Sequence, residues 1–80
     1  MMTGGKILDP EQREKYDFTR TLLTVLLRTV TGNEHYYAEY YVDSGGEWVD
    51  VTFGNDYRIR KVNVTADSLL ALTRDVLKTF

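Results

Sequence analysis

The pair Gly45-Gly46 stands between two runs of alternating polarity, residues 36–43 and 47–53, and constrains this chain more than any other feature. Period-two alternation marks a strand with one buried face. Two such runs joined by glycines that tolerate positive φ form a β-hairpin. A two-residue turn at Gly45-Gly46 sets Val42 opposite Val49, Tyr40 opposite Val51 and Ala38 opposite Phe53. All six side chains then point to one side, so the apolar pattern and the turn agree on a register.

A third run, residues 57–64, follows the turn Gly54-Asn55-Asp56, and its alternation slips. Tyr57 and Ile59 share one parity, whereas Val62 and Val64 share the other. A bulge at Arg60-Lys61 would repair the slip, placing both cations beside Asp50 and returning Val62 to the inner face against Val49. The predicted inner face is Tyr36, Ala38, Tyr40, Val42, Val49, Val51, Phe53, Tyr57, Ile59, Val62 and Val64.

Helical signals flank the strands. Asp9-Pro10-Glu11-Gln12 reads as a capping box with proline at the first helical position. Tyr16, Leu23, Leu26, Leu27 and Val30 follow at helical spacing, with Phe18, Leu22 and Val25 alongside. The stretch is rich in Thr and Val, which leaves a helix ending near Tyr16 and a strand from Thr19 as the alternative. The preferred reading is one helix to about Thr31, stopped by Gly32-Asn33. At the other end Thr65 is the expected cap of a second helix carrying Leu69, Leu72, Val76 and Phe80. The order is α-β-β-β-α: an α+β fold with a three-stranded antiparallel meander and two helices packed on one face. Residues 1–8 read as a flexible lead-in, and residues 9–80 as a single small domain.

Composition narrows the function classes. Eighty residues with 42% apolar content support one small core. There is no cysteine, hence no disulfide framework or thiolate metal site. The start of the sequence has no apolar signal-peptide run, and the greasiest stretch, residues 22–30, falls far short of the ~20 residues a membrane span needs. The expected setting is soluble and cytoplasmic. Residues 34–56 carry six carboxylates, seven aromatic rings counting His35, and no Lys or Arg. Such a segment repels phosphate, which disfavours a uniform polyanion-binding surface.

The α-β-β-β-α order is similar to that of the double-stranded-RNA-binding domain. That family places a Lys-Lys-x-Ala-Lys-type cluster at the start of its last helix, where it grips phosphates. The corresponding residues here, Thr65-Ala66-Asp67-Ser68-Leu69, carry one acid and no base. The similarity is one of element order, and no residue role is carried over.

No motif for catalysis or for a cofactor is present. His35 has no second histidine and no activated Ser or Cys to serve. Asp43-Ser44-Gly45-Gly46-Glu47 lacks the ligand spacing of a calcium loop. No metal, cofactor or membrane partner is therefore expected. The predicted outer face carries Tyr37, Tyr41 and Trp48 with Glu39 and Asp50, and the third run adds Arg58, Arg60 and Lys61. Large amphipathic rings on one small face are typical of protein-binding surfaces. The first expectation is a non-enzymatic module that binds a protein, or its own copy, through the outer face or an edge strand. The second is weak nucleic-acid binding, with the three cations on phosphates and the rings stacking on bases.

Overall fold

The computed structural model describes residues 8–54 and 56–80. The lead-in expected over residues 1–8 lies outside these, apart from Leu8, which packs against the core. Asn55 of the expected second turn lies outside them too.

The long helix forms where the capping box places it. Asp9 Oδ1 accepts the Gln12 amide at 2.8 Å and Gln12 Oε1 accepts the Asp9 amide at 3.2 Å, with Pro10 at the first position. It runs unbroken to Gly32, which takes the left-handed conformation (φ 68°, ψ 18°) that glycine adopts without cost. Its winding is not uniform: α-helix over Pro10–Phe18, π-helix over Thr19–Leu23, α-helix again over Thr24–Thr31. The wide turn has a consequence for burial. In a straight α-helix Lys15 would lie roughly 120° around the axis from Leu27. Winding the middle turn i→i+5 holds back about one residue, so Lys15, Thr19, Leu23, Thr24 and Leu27 all face the sheet. Leu26, expected in the core, is 36% exposed, and the fully buried residue is its neighbour Leu27.

Strands β1 (Tyr37–Asp43), β2 (Gly46–Phe53) and β3 (Arg58–Asn63) form an antiparallel sheet in the order β1-β2-β3. The first hairpin keeps a two-residue turn but is shifted by two residues from the expected register. Asp43 pairs with Gly46, Val42 with Glu47, Tyr40 with Val49 and Ala38 with Val51. The turn is therefore Ser44-Gly45, locked by the Gly45 amide donating to Asp43 Oδ1 at 2.8 Å. Gly46 opens β2 at φ 130°, and a Cβ there would collide with Thr65 Oγ1. A shift of two preserves every side chain's face, which is why the expected faces of β1 and β2 hold.

Strand β3 departs from expectation in a way that matters more. It pairs regularly with β2: Phe53 with Arg58, Thr52 with Ile59, Val51 with Arg60, Asp50 with Lys61 and Val49 with Val62. The expected bulge at Arg60-Lys61 is absent. Val62 does meet Val49 and Lys61 does meet Asp50, but Arg60 takes inner parity and Ile59 turns outward at 60% exposure. Tyr57, also expected inside, is 73% exposed at φ 55°. The inward arginine is accommodated because its guanidinium lies over the Phe53 and Phe80 rings and donates to Thr79 O at 3.2 Å. An unbroken ladder and this stack replace the apolar contact that Ile59 forgoes.

The C-terminal helix, Leu69–Thr79, is capped by Ser68, whose Oγ accepts the Ala71 amide at 3.2 Å, and not by the expected Thr65. Thr65 Oγ1 instead accepts the Glu47 amide at 2.9 Å, and Ala66 turns the chain with φ 64°. Both helices cover the same sheet face. Leu23 and Leu27 of the long helix and Leu72 and Val76 of the C-terminal helix meet Ala38, Tyr40, Val49, Val51 and Val64 in one core. Tyr36, Phe53 and Phe80 close one end of it, with ring centroids 5.3–5.8 Å apart. No helix among the described residues is long and apolar enough to cross a membrane.

Candidate functional site

With both helices on one side, no described residues form a covering layer on the other face of the sheet. The pairing arranges it as three cross-strand rows. Tyr41, Trp48 and Asn63 form the row nearest the hairpin turn; Glu39, Asp50 and Lys61 form the middle; Tyr37, Thr52 and Ile59 form the third. Of the eight candidate residues, six (Tyr37, Glu39, Tyr41, Trp48, Asp50 and Lys61) therefore converge on this face. Arg58 and Arg60 do not. Arg58 pairs with Asp56 at 3.0 Å in full exposure, and Arg60 is committed to the Phe53–Phe80 stack. Ile59 is the residue that sequence reasoning missed here. Regular pairing of β3 would have placed it on the outer face by parity alone.

The three rings are half-buried by lateral packing, and two are fixed by their polar ends. Trp48 Nε1 donates to Asp43 Oδ1 at 2.9 Å, and Lys61 Nζ donates to Tyr41 OH at 2.8 Å. The Trp48 hydrogen bond, with that from the Gly45 amide, holds the Asp43 carboxyl below its ordinary range. The Tyr41 hydrogen bond and the charge of Asp50 raise the Lys61 ammonium. At the centre of the face, on the central strand, Asp50 Oδ1 is buried and accepts no hydrogen bond from any described residue. A buried acceptor left alone costs about 1–3 kcal/mol, offset here in part by the charge of the neighbouring Lys61 ammonium. Its cross-strand neighbour Glu39 is a second carboxylate.

The two sheet edges differ. On β1, Thr24 Oγ1 accepts the Ala38 amide at 3.0 Å and Arg28 Nε donates to Tyr36 O at 2.8 Å, so the long helix occupies part of that edge. On β3, Val64 donates its amide to Glu47 O at 2.9 Å, which fixes the hydrogen-bond alternation. Ile59, Lys61 and Asn63 then turn their backbone groups away from β2. Among the described residues strand β3 is the open edge, guarded by the charge of Lys61.

On the other side of the sheet lies a polar cluster that sequence reasoning did not find. Lys15, 4% exposed, donates to Glu47 Oε1 at 2.7 Å, and Tyr40 OH donates to the same oxygen at 2.8 Å. Burial pushes the Glu47 carboxyl up, but the hydrogen bonds from Lys15 and Tyr40 outweigh it and hold the group below its ordinary value. Tyr40 is displaced upward by its own burial and by Glu47. Nearby, burial and the adjacent Asp75 carboxyl raise Asp67. These groups sit among core residues and their first task is to fix the sheet against both helices. Only the π turn brings Lys15 into the cluster, and no local pattern signals that turn. No three His, Cys, Asp or Glu side chains among the described residues converge to hold a metal ion. No family model, no curated protein and no solved structure matches this chain.

Proposed function

We propose that this chain is a small non-enzymatic protein-binding module, and that its outer sheet face receives a basic side chain of a partner protein flanked by apolar ones. The neighbouring carboxylates Glu39 and Asp50 at the centre of the face, between two rows of apolar side chains, carry this reading. An incoming ammonium or guanidinium would pair with the exposed Glu39 carboxylate, beside Asp50. Tyr41 and Trp48 on one side, and Tyr37 and Ile59 on the other, would anchor the flanking residues. Rings with tied polar ends lose little entropy on binding, as suits hot-spot residues. Asp43, Glu39 and Asp50 outnumber Lys61, so the face favours a cationic partner and disfavours nucleic acid. With Arg58 and Arg60 turned elsewhere, a phosphate would find one lysine.

Selection of a random peptide library on the immobilised protein tests this directly. Enriched peptides should carry Arg or Lys beside aliphatic or aromatic residues, and their affinity should fall about tenfold or more in Trp48→Ala and in Asp50→Asn. Peptides that bind both variants as well as the wild type would refute the proposal. Saturable amide shifts centred on Lys61 and Tyr37 during an oligonucleotide titration at physiological salt would favour the nucleic-acid reading instead.

A further inference from the structure

The long helix has a second surface that no described residue covers, on the side of the molecule opposite the outer sheet face. Leu22 is 64% exposed, Val25 58%, Leu26 36% and Val30 64%, and Phe18 adjoins them half-buried. These positions recur at helical spacing and form one aliphatic stripe, with Thr29 its only polar member. Single exposed apolar residues are ordinary. A contiguous row of four exposed aliphatic side chains is the kind of patch that marks an interaction surface. A shallow trough of about 640 Å³ extends it between the two helices, with Phe18, Leu22 and Leu69 among its walls.

We infer that the stripe is the interface of a two-fold dimer, covered by the same helix of a second copy running antiparallel. Charge and symmetry select this occupant. Asp17 and Arg28 are both exposed and border the stripe on the same flank, one towards each end. Their midpoint falls between Leu22 and Leu23, within two residues of the middle of the apolar run from Phe18 to Val30. In an antiparallel two-fold pair the same flanks of the two helices meet, and residues equidistant from the centre face each other. Asp17 of each copy is then set beside Arg28 of the other, twice. Leu22 meets Val25 and Leu26 at the centre, and Phe18 meets Val30 on the opposite flank. A parallel two-fold pair would instead bring opposite flanks together, leaving Asp17 and Arg28 without each other. Arg28 spends only its Nε on Tyr36 O, which leaves its terminal nitrogens for a carboxylate. Two further cations lie on this flank: Arg20 is folded back over the Tyr16 ring and donates to its hydroxyl, and Arg13, one turn before Asp17, lies beyond the apolar run. Because this stripe and the outer sheet face lie on opposite sides, such a dimer would present two copies of the sheet face pointing outward, and would bind a repetitive partner with avidity.

The test is the solution mass by light scattering and sedimentation across micromolar to high-micromolar concentration. The wild-type chain should be a dimer. Val25→Glu should be a monomer with an unchanged far-UV circular dichroism spectrum, since Val25 lies outside the core. Asp17→Arg and Arg28→Glu should each weaken the dimer about tenfold, and the two together should restore it, which non-specific stickiness would not do. A wild-type monomer throughout this range would overturn the inference. So would a dimer that survives Val25→Glu, or a double charge reversal as weak as either single change.

Discussion

The outer face of the sheet and the outward face of the long helix are both left uncovered by the described residues, yet they are built from opposite materials. On the sheet every large apolar group except Ile59 has a polar end, and Trp48 and Tyr41 have theirs hydrogen-bonded within the face. The helix stripe offers Leu22, Val25, Leu26 and Val30, which have none. Amphipathic rings tolerate water and suit a partner that comes and goes; bare aliphatic stripes suit a contact that is seldom broken. What teaches most is that neither face holds the fold together. That task falls to the layer between them, and substitutions should sort accordingly.

The largest effect is expected at Lys15. Lys15→Met leaves the Glu47 carboxylate buried without its cation and should cost about 3–5 kcal/mol in chemical unfolding. Adding Glu47→Gln should recover part of the loss, because the stranded charge is then gone. Close behind, Leu27→Ala and Leu72→Ala should each cost about 2–5 kcal/mol, as both residues are fully buried. Leu22→Ala, measured in the Val25→Glu background to remove any dimer contribution, should stay within about 0.5 kcal/mol. Equal losses at Leu22 and Leu27 would erase the distinction between the helix's two sides.

Acid stability offers a subtler contrast within that middle layer. Glu47 is held below its ordinary value in the fold, so its contribution is complete above about pH 4.3 and is lost as pH falls through the depressed folded value. Asp67 is displaced the other way. Its folded pKa lies above the ordinary value of about 3.9, so its contribution is greatest below that value and declines as pH rises through the folded one. Urea midpoints across the acid range should therefore lose part of their low-pH fall in Glu47→Gln and gain stability towards neutral pH in Asp67→Asn. The smallest effect belongs to the outer face. Ile59→Thr should change stability by no more than about 0.5 kcal/mol while weakening capture of the selected peptides.

Much of this arrangement was legible in the chain because its determinants are local. The Asp9–Gln12 box and Gly32 mark the long helix from their immediate neighbours. The alternation of residues 36–53 places Tyr37, Glu39, Tyr41, Trp48 and Asp50 outside whichever residues form the turn, since the hairpin shifted by an even step. Strand β3 was misread because an inward Arg60 looks prohibitive until Phe80 and Thr79, about twenty positions further on, are brought beneath it. Lys15 escaped notice because a π turn leaves no signature in residue pattern, and only the packed sheet shows that the helix winds wide at Thr19–Leu23. The orphaned Asp50 oxygen is likewise a property of packing and is invisible to any reading of sequence alone.

The claim that the two exposed faces serve separate partners can be put to one measurement: calorimetric titration of a selected basic peptide into the wild type, Trp48→Ala and Val25→Glu. The peptide should bind the Val25→Glu monomer with wild-type affinity per chain and bind Trp48→Ala at least about tenfold more weakly. Undiminished binding to Trp48→Ala, or binding lost with Val25→Glu, would place the peptide on the helix face and contradict the account.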